Sequence, residues 1–469
     1  MTCVVDRLSA LDASYLYMEE ATTPMHTGAV AVFQTPRPSP DAVFDYDRLV
    51  RLVQERIPLV PRYRQKVRWV PGNLAGPVWV DDEAFDVTYH VRRSALPRPG
   101  SDHQLHELVA RLLSRPLDRN RPLWEVYLVE GLSDHRFALI TKTHQALVDG
   151  IVALDLGQVL LDRSPDPEVA PRFDDDWLPH TEPSSLDLFV GAVGEIVQRP
   201  TAVVDLVRHG VSDVRRTVGR AGSAAGSALS MARHVARTAP TSPLNTEIGE
   251  ARRFATVRAD LTRFKTVRAQ HGGTVNDVVL AVIAGALRAW LQMRGEPVNA
   301  RTTVRAMVPV SVAVAGEGAS SVEAYFVDLP VGENSPVVRL HQASYAMRAH
   351  QETGTAVGAQ SLAGVAGFGP PTLHALGARA ASGLSRRVFN LVVTNVPGPQ
   401  VPLYLSGARM LEAYPVVPLA KGQALTIGVT SYDGTMFFGL YGDRDAMSDL
   451  DVLGESLLDA LDELDDRER

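Results

Sequence analysis

Lys142-Thr143-His144-Gln145-Ala146-Leu147-Val148-Asp149-Gly150 is the stretch on which the reading of this chain turns. Ahead of it, Arg136-Phe137-Ala138-Leu139-Ile140-Thr141 mixes β-branched, aromatic and aliphatic residues, which predicts a strand. Behind it, Ile151 to Leu161 is apolar with few breaks and predicts a buried helix. A His beside a strand end, followed by an acid and a glycine at the strand-to-helix turn, is a place for chemistry. Asp149 can hold the turn, and Gly150 permits φ > 0 or a close backbone approach. On spacing alone, a core or turn role for His144 stands beside the catalytic one, because one His and one Asp are cheap to find.

Composition narrows the classes around that stretch. The 469 residues are 45% hydrophobic and 22% charged, the profile of an ordinary soluble globular chain of about two to four domains. A net charge of -7 argues against general nucleic-acid binding. Cys3 is the only cysteine, which excludes an intrachain disulfide and a Cys-based metal site. The first residues lack the apolar core of a signal peptide, and no run approaches the ~20 apolar residues that span a bilayer. The expectation is a cytoplasmic protein, at most peripheral to a membrane.

Working outward, Ser9 or Asp12 can cap a short first helix, and Met25 and His26 read as packing residues before the strand Gly28 to Phe33. Leu49 to Ile57 is helical in pattern, Val67 to Val80 reads as a hairpin around Pro71-Gly72-Asn73, and Phe85 to Val91 as a strand. Leu105, Leu108, Val109 and Leu112 make one face of a helix, leaving His103 and His106 on its surface. Pro122-Leu123-Trp124 leads into the strand Glu125 to Glu130; a Trp plugging the core and a site element are both open readings. Asp162 to Ser185 is a polar crossover. Leu186 to Ala239 is helix-compatible and Arg-rich from Arg199 to Arg237, which suits either anionic lipid or solvent. In the second half Thr274 is positioned to cap the buried helix Val278 to Leu291, with Asn276 and Asp277 in its first turn, where an acid suits the unpaired N–H groups. Val304 to Val312, Ala324 to Leu329 and Phe389 to Asn395 read as strands. Asp433-Gly434 joins Leu425 to Tyr432 and Thr435 to Tyr441 as a hairpin. Leu450, Leu453, Leu457, Leu461 and Leu464 line a last helix.

The opening stretch resembles the HHxxxDG motif of the CoA-dependent acyltransferase superfamily. It is most similar to that of the wax ester synthase/diacylglycerol acyltransferase family. The N-terminal segment Leu8 to Phe33 resembles that family's signature, as do Pro122-Leu123-Trp124 its PLW, Asn276-Asp277 its ND, Val308 to Ser311 its VPVS, and Asn395-Val396-Pro397-Gly398-Pro399 its NVPGP. Where the family usually shows Gly-Asn, this chain has Ala319-Ser320.

The resemblance implies an α/β protein of two chloramphenicol acetyltransferase-like sandwich domains, residues 1–165 and 251–469, joined by a long crossover, 166–250. A channel at their interface would admit acyl-CoA from one side and an acceptor from the other. The implied reaction moves a long-chain acyl group from acyl-CoA, a co-substrate, to diacylglycerol, giving triacylglycerol, or to a fatty alcohol, giving wax ester. No metal or further cofactor is implied, and the insoluble substrates imply peripheral contact with a membrane or lipid droplet. The implied catalytic set is His144, Gln145, Asp149 and Gly150. The implied substrate-binding set is Pro122, Leu123, Trp124, Asn276, Asp277, Asn395, Pro397 and Gly398.

In the family the second His of the motif, four residues before the Asp, is the general base. Here that residue is Gln145, whose amide can hydrogen-bond but has no basic nitrogen. His144 is the only neighbour able to substitute, and strand alternation turns it away from Gln145. Two readings follow: an O-acyltransferase with a weakened base step, or a catalytically silent acyl-CoA- or lipid-binding relative, natural or engineered.

Overall fold

The computed structural model describes residues 6–35, 44–73, 75–148, 156–166, 177–190, 238–313, 320–353, 357–358 and 387–465. Among these, two mixed β-sheets carry the architecture, with helices packed on each. The first sheet runs in the order Tyr404–Leu405, Ala408–Val416, His26–Gln34, Arg136–His144, Trp124–Leu132, Val91–Ala95. Its centre is antiparallel, with His26 opposite His144 and Gln34 opposite Arg136. Val91–Ala95 runs parallel to Trp124–Leu132 at one edge. The helix Asp102–Leu113 lies over this sheet, capped by Ser101 and Gln104 in a reciprocal capping box. Gly28 lets it come close, since a Cβ there would meet the Leu113 side chain at 3.2 Å and the Thr141 carbonyl at 2.6 Å.

The second sheet runs Val357–Gly358, Ser320–Leu329, Val304–Ala313, Leu391–Pro397, Leu425–Tyr432, Thr435–Asp443, Arg252–Asp260. The helix Val275–Met293 is its core, buried along most of its length against Leu261–His271, Pro336–Thr353 and Leu450–Asp465. By length and composition this helix could cross a membrane, against the sequence expectation. However, 72% of its apolar window is buried inside the protein, so it fills a core here. Thr274 caps it as expected, and the leucines of the last helix face inward as expected. Asp433 and Gly434 both take positive φ in the predicted hairpin.

Three local readings change. Phe85 to Val91 is not one strand: Asp86 accepts the Thr88 N–H and starts a single helical turn, Val87–His90, so the strand begins at Val91. An Asx cap outweighs β-branched composition there. His106 is not a free surface histidine. It is half-buried, and its Nε2 sits 3.0 Å from Thr256 Oγ1 of the second half's first strand. Behind His144, the described helix covers Leu156–Val159 only; residues 151–155 and 191–237, which hold the whole Arg-rich stretch, lie outside the described residues.

One element ties the halves together. Ala408–Val416, late in the chain, adds to the first sheet beside His26–Gln34. Its Pro415 also presses on the second sheet, where Gly428 and Gly439 face each other across two strands. A Cβ at Gly439 would come within 2.1 Å of the Pro415 carbonyl, and one at Gly428 within 2.9 Å. Paired glycines inside strands mark a close backbone approach.

Candidate active site

His144 ends its strand, and its surroundings follow from that place. Its N–H donates to the Leu123 carbonyl at 2.9 Å, which ties it to Pro122-Leu123-Trp124. All three of those residues are buried. Trp124 donates its indole N–H to the Tyr63 carbonyl at 2.7 Å and stacks on His90 at 4.5 Å. The motif therefore supports the strand end from behind, through packing and one backbone bond.

The His144 ring is fully buried and both its nitrogens face protein. Nδ1 accepts the Ala146 N–H at 3.0 Å. An acceptor at Nδ1 puts the proton of the neutral ring on Nε2. Nε2 points at Glu19, 3.7 Å from its Oε2. Glu19 is also held by Arg119, whose Nε donates at 3.0 Å and whose second nitrogen makes a shorter contact, and by the Met25 N–H at 3.4 Å. Burial pushes the Glu19 carboxyl up, but the His144 and Arg119 interactions outweigh it and hold the group down at about 2.

Two more buried titratable side chains face the same side of the sheet. His26, opposite His144, donates from Nε2 to the Leu113 carbonyl at 2.5 Å. Burial and the nearby Lys142 charge pull its pKa down to about 3, so it is neutral. Lys142 donates to the carbonyls of Leu112, at 3.1 Å, in the last turn of the helix Asp102–Leu113, and of Arg115, at 2.6 Å, just past it. Its Nζ lies 3.6 Å from Glu125. Burial lowers Lys142 to about 8 against the opposing pull of Glu125.

Gln145 is half-buried in the turn that follows. Its backbone N–H donates to the Met25 carbonyl, and the Leu147 N–H to the His144 carbonyl, both at 2.9 Å. Its side-chain amide makes no hydrogen bond among the described residues. Asp149 and Gly150 lie outside the described residues.

The second half contributes an amide pair. Asn395, near the end of Leu391–Pro397, donates from Nδ2 to Asn276 Oδ1 at 3.0 Å. The Asn276 amide N–H groups are left as donors from the first helical turn. Asp277 is committed elsewhere: its Oδ2 accepts the Thr274 N–H at 2.8 Å and closes the capping box. Pro397 is exposed, and Gly398 donates its N–H to the Ser431 carbonyl at 3.0 Å. A Cβ at Gly398 would meet that carbonyl at 2.4 Å, so this turn requires glycine. The loop Glu19 to Met25 reaches both halves. Arg252 donates to the Thr22 carbonyl, and Lys421 donates to the Glu20 carboxylate at 2.7 and 2.8 Å.

No cluster of metal-binding side chains occurs among the described residues. What the geometry offers is polar orientation: an amide at position 145 with a buried ionic cluster behind its strand end, and, in the second half, amide donors at Asn276.

Residues 8–279 match the wax ester synthase/diacylglycerol acyltransferase catalytic domain, and residues 320–465 the WS/DGAT C-terminal domain. The chain belongs to the wax ester synthase/diacylglycerol acyltransferase family. It is 33% identical over 472 residues to the probable diacylglycerol O-acyltransferase tgs2 of Mycobacterium tuberculosis, covering 98% of this chain and 99% of that one. It is 48% identical over 269 residues to tgs3 of the same organism, covering 57% of this chain and 97% of that one. The wax ester synthase/diacylglycerol acyltransferase of Marinobacter aquaeolei VT8 superposes with a TM-score of 0.67 at 29% identity, covering 98% of both chains. A cyclization-docking bidomain from Sorangium cellulosum shares the fold alone, with a TM-score of 0.54 at 16% identity, covering 100% of this chain and 86% of that one. The WS/DGAT membership makes the chain an acyltransferase with the two-domain α/β fold of its relatives.

Sequence reasoning had no role for Glu19, Arg119 or Lys142. The signal was there in part: Glu19 stands inside the N-terminal signature, and Arg119 three residues before Pro122. Lys142 sits two residues before His144 in the opening stretch, but nothing in the sequence brings Glu19 or Arg119 to it.

Proposed function

We propose that this protein transfers a long-chain acyl group from acyl-CoA to diacylglycerol, or to a long-chain alcohol, with Gln145 standing where the family's general base stands. The attacking hydroxyl would be oriented by hydrogen bonding at position 145, and amide donors at Asn276 are suited to developing negative charge on the thioester oxygen. The single observation that carries this reading is the environment of His144. Its Nδ1 is occupied by a backbone N–H and its Nε2 is turned to Glu19, so it is not available as a replacement base. The hydroxyl proton then passes to solvent or to the departing CoA thiolate rather than to a protein base, and turnover is slow although acyl-CoA binds.

The test is transfer from palmitoyl-CoA to diolein and to hexadecanol, with and without Gln145→His. The replacement is expected to raise kcat by about 10² or more, with little change in palmitoyl-CoA affinity. Fast turnover by the parent protein, abolished by His144→Ala and indifferent to Gln145→His, would overturn the assignment. Palmitoyl-CoA binding with no turnover in either form would favour a binding protein.

We further propose peripheral contact with an anionic membrane or lipid-droplet surface on the cytoplasmic side. Leu178, Leu186, Phe189 and Val190 are exposed just before the Arg-rich stretch. Co-sedimentation with anionic vesicles that weakens as salt rises supports this; equal binding to neutral vesicles speaks against it.

A further inference from the structure

We infer that Glu19 is a positioning residue for the reaction, acting through His144 to hold the turn that aims the side chain at position 145. The inference rests on the proposed role of position 145. It starts from an asymmetry in the His144 ring. Nδ1 accepts the Ala146 N–H, and that bond pins the first residue after position 145. It exists only while Nδ1 is unprotonated. Were the ring proton on Nδ1, two N–H groups would face each other and the turn would lose its hold. Something must therefore keep the proton on Nε2, and the group placed to do so is the Glu19 carboxylate. At 3.7 Å the contact is a charge interaction rather than a direct hydrogen bond. Its strength comes from burial, since the Glu19 side chain is only 7% exposed.

Glu19 is itself fixed before it can fix anything. Arg119 grips it with two nitrogens and the Met25 N–H touches its other oxygen. Met25 in turn accepts the Gln145 N–H at 2.9 Å. The loop carrying Glu19 thus meets the turn at both ends of residue 145: through Met25 at its own N–H, and through His144 at the N–H of Ala146. The same loop is anchored to the second half by Lys421 on Glu20 and Arg252 on Thr22. Position 145 is thereby referenced to both halves, which the acceptor and the acyl-CoA must also meet. Glu19 faces the buried side of His144, so it acts on the chemistry only through that ring.

The test separates this from the role of Gln145. Selective ¹⁵N-histidine labelling reads the His144 tautomer directly, with no need for activity. The parent protein is expected to show an unprotonated Nδ1 and a protonated Nε2. Glu19→Gln, which removes the charge at equal size, is expected to shift His144 toward the Nδ1–H form. Glu19→Asp, which keeps the charge one methylene further away, is expected to fall between the two. In the Gln145→His background, Glu19→Gln is expected to lower kcat by about 10- to 100-fold, the size of loss expected when a reacting group is misplaced by a change away from the chemistry. KM for palmitoyl-CoA should stay within about twofold, as expected when only transition-state alignment is lost. An unchanged His144 tautomer in both Glu19 variants, or an unchanged kcat beside a shifted tautomer, would overturn the inference. If Gln145→His gives no activity at all, the proposed function fails on its own and the tautomer measurement still decides whether Glu19 orients His144.

Discussion

The layer behind His144 in the first half and the layer behind Asn276 in the second are built on opposite principles. Behind His144 stand Glu19, His26, Lys142 and Arg119, three of them buried or nearly so, each engaging a particular partner. Behind Asn276 lies the helix Val275–Met293, apolar all round, with Val278, Val279, Ile283 and Leu287 at or near zero exposure. Apolar packing is non-directional and tolerates volume-conserving change. A buried ionic cluster is directional, and removing one member strands the others. The first layer fixes an orientation at position 145; the second fixes only the position of a helix end.

That contrast can be broken at several places. The largest stability effect is expected from Trp124→Ala, which empties the space between His90 and Tyr63 and leaves the Tyr63 carbonyl without its donor. Urea denaturation should show a loss of about 3–5 kcal/mol, with His144 disturbed as well because Leu123 holds its N–H.

Lys142→Met is the sharper comparison, since it changes little volume. By apolar logic it should be neutral or stabilising; by ionic logic it strands the Leu112 and Arg115 carbonyls and Glu125, costing about 1–3 kcal/mol. A neutral result would show that the cluster does not depend on its lysine. The pH dependence has a definite sign. Lys142 is held at about 8, below the ordinary 10.5 of a lysine. Between those values the unfolded chain binds more protons, so stability rises with pH across that window. The rise should be present in the parent protein and reduced in Lys142→Met. Equal slopes in the two proteins would assign it to other groups.

The smallest effect is expected at the cap of the apolar layer's central helix. Thr274→Ala removes one half of the capping box, at about 1 kcal/mol. Thermal unfolding should register it while the His144 tautomer stays as it was. A variant that instead shifted the His144 resonances would show that the two layers are coupled more tightly than their chemistry suggests.

Much of this was readable in the residues. The strand before His144, the buried helix after Thr274, the hairpin at Asp433-Gly434 and the leucine face of the last helix all follow from local pattern and turn chemistry, and the structure has them. The order of PLW, ND and NVPGP segments around the His144 stretch pointed to the family. Phe85 to Val91 was misread because one Asp cap decided it, against six residues of strand-like composition. His106 was misread because the helix periodicity knows nothing of Phe254 and Thr256, against which the ring lies.

By itself, the sequence determined most of the local elements, the family and a glutamine rather than a histidine at position 145, because each is read from residues within a few positions of one another. Only the tertiary structure decided that Ala408–Val416 would close the first sheet, that two facing glycines would admit Pro415, and that Glu19, more than a hundred residues away, would meet His144. Those contacts come from chain segments folding back over long separations. Their energies lie in burial and in charges with reduced access to water, which no local pattern encodes.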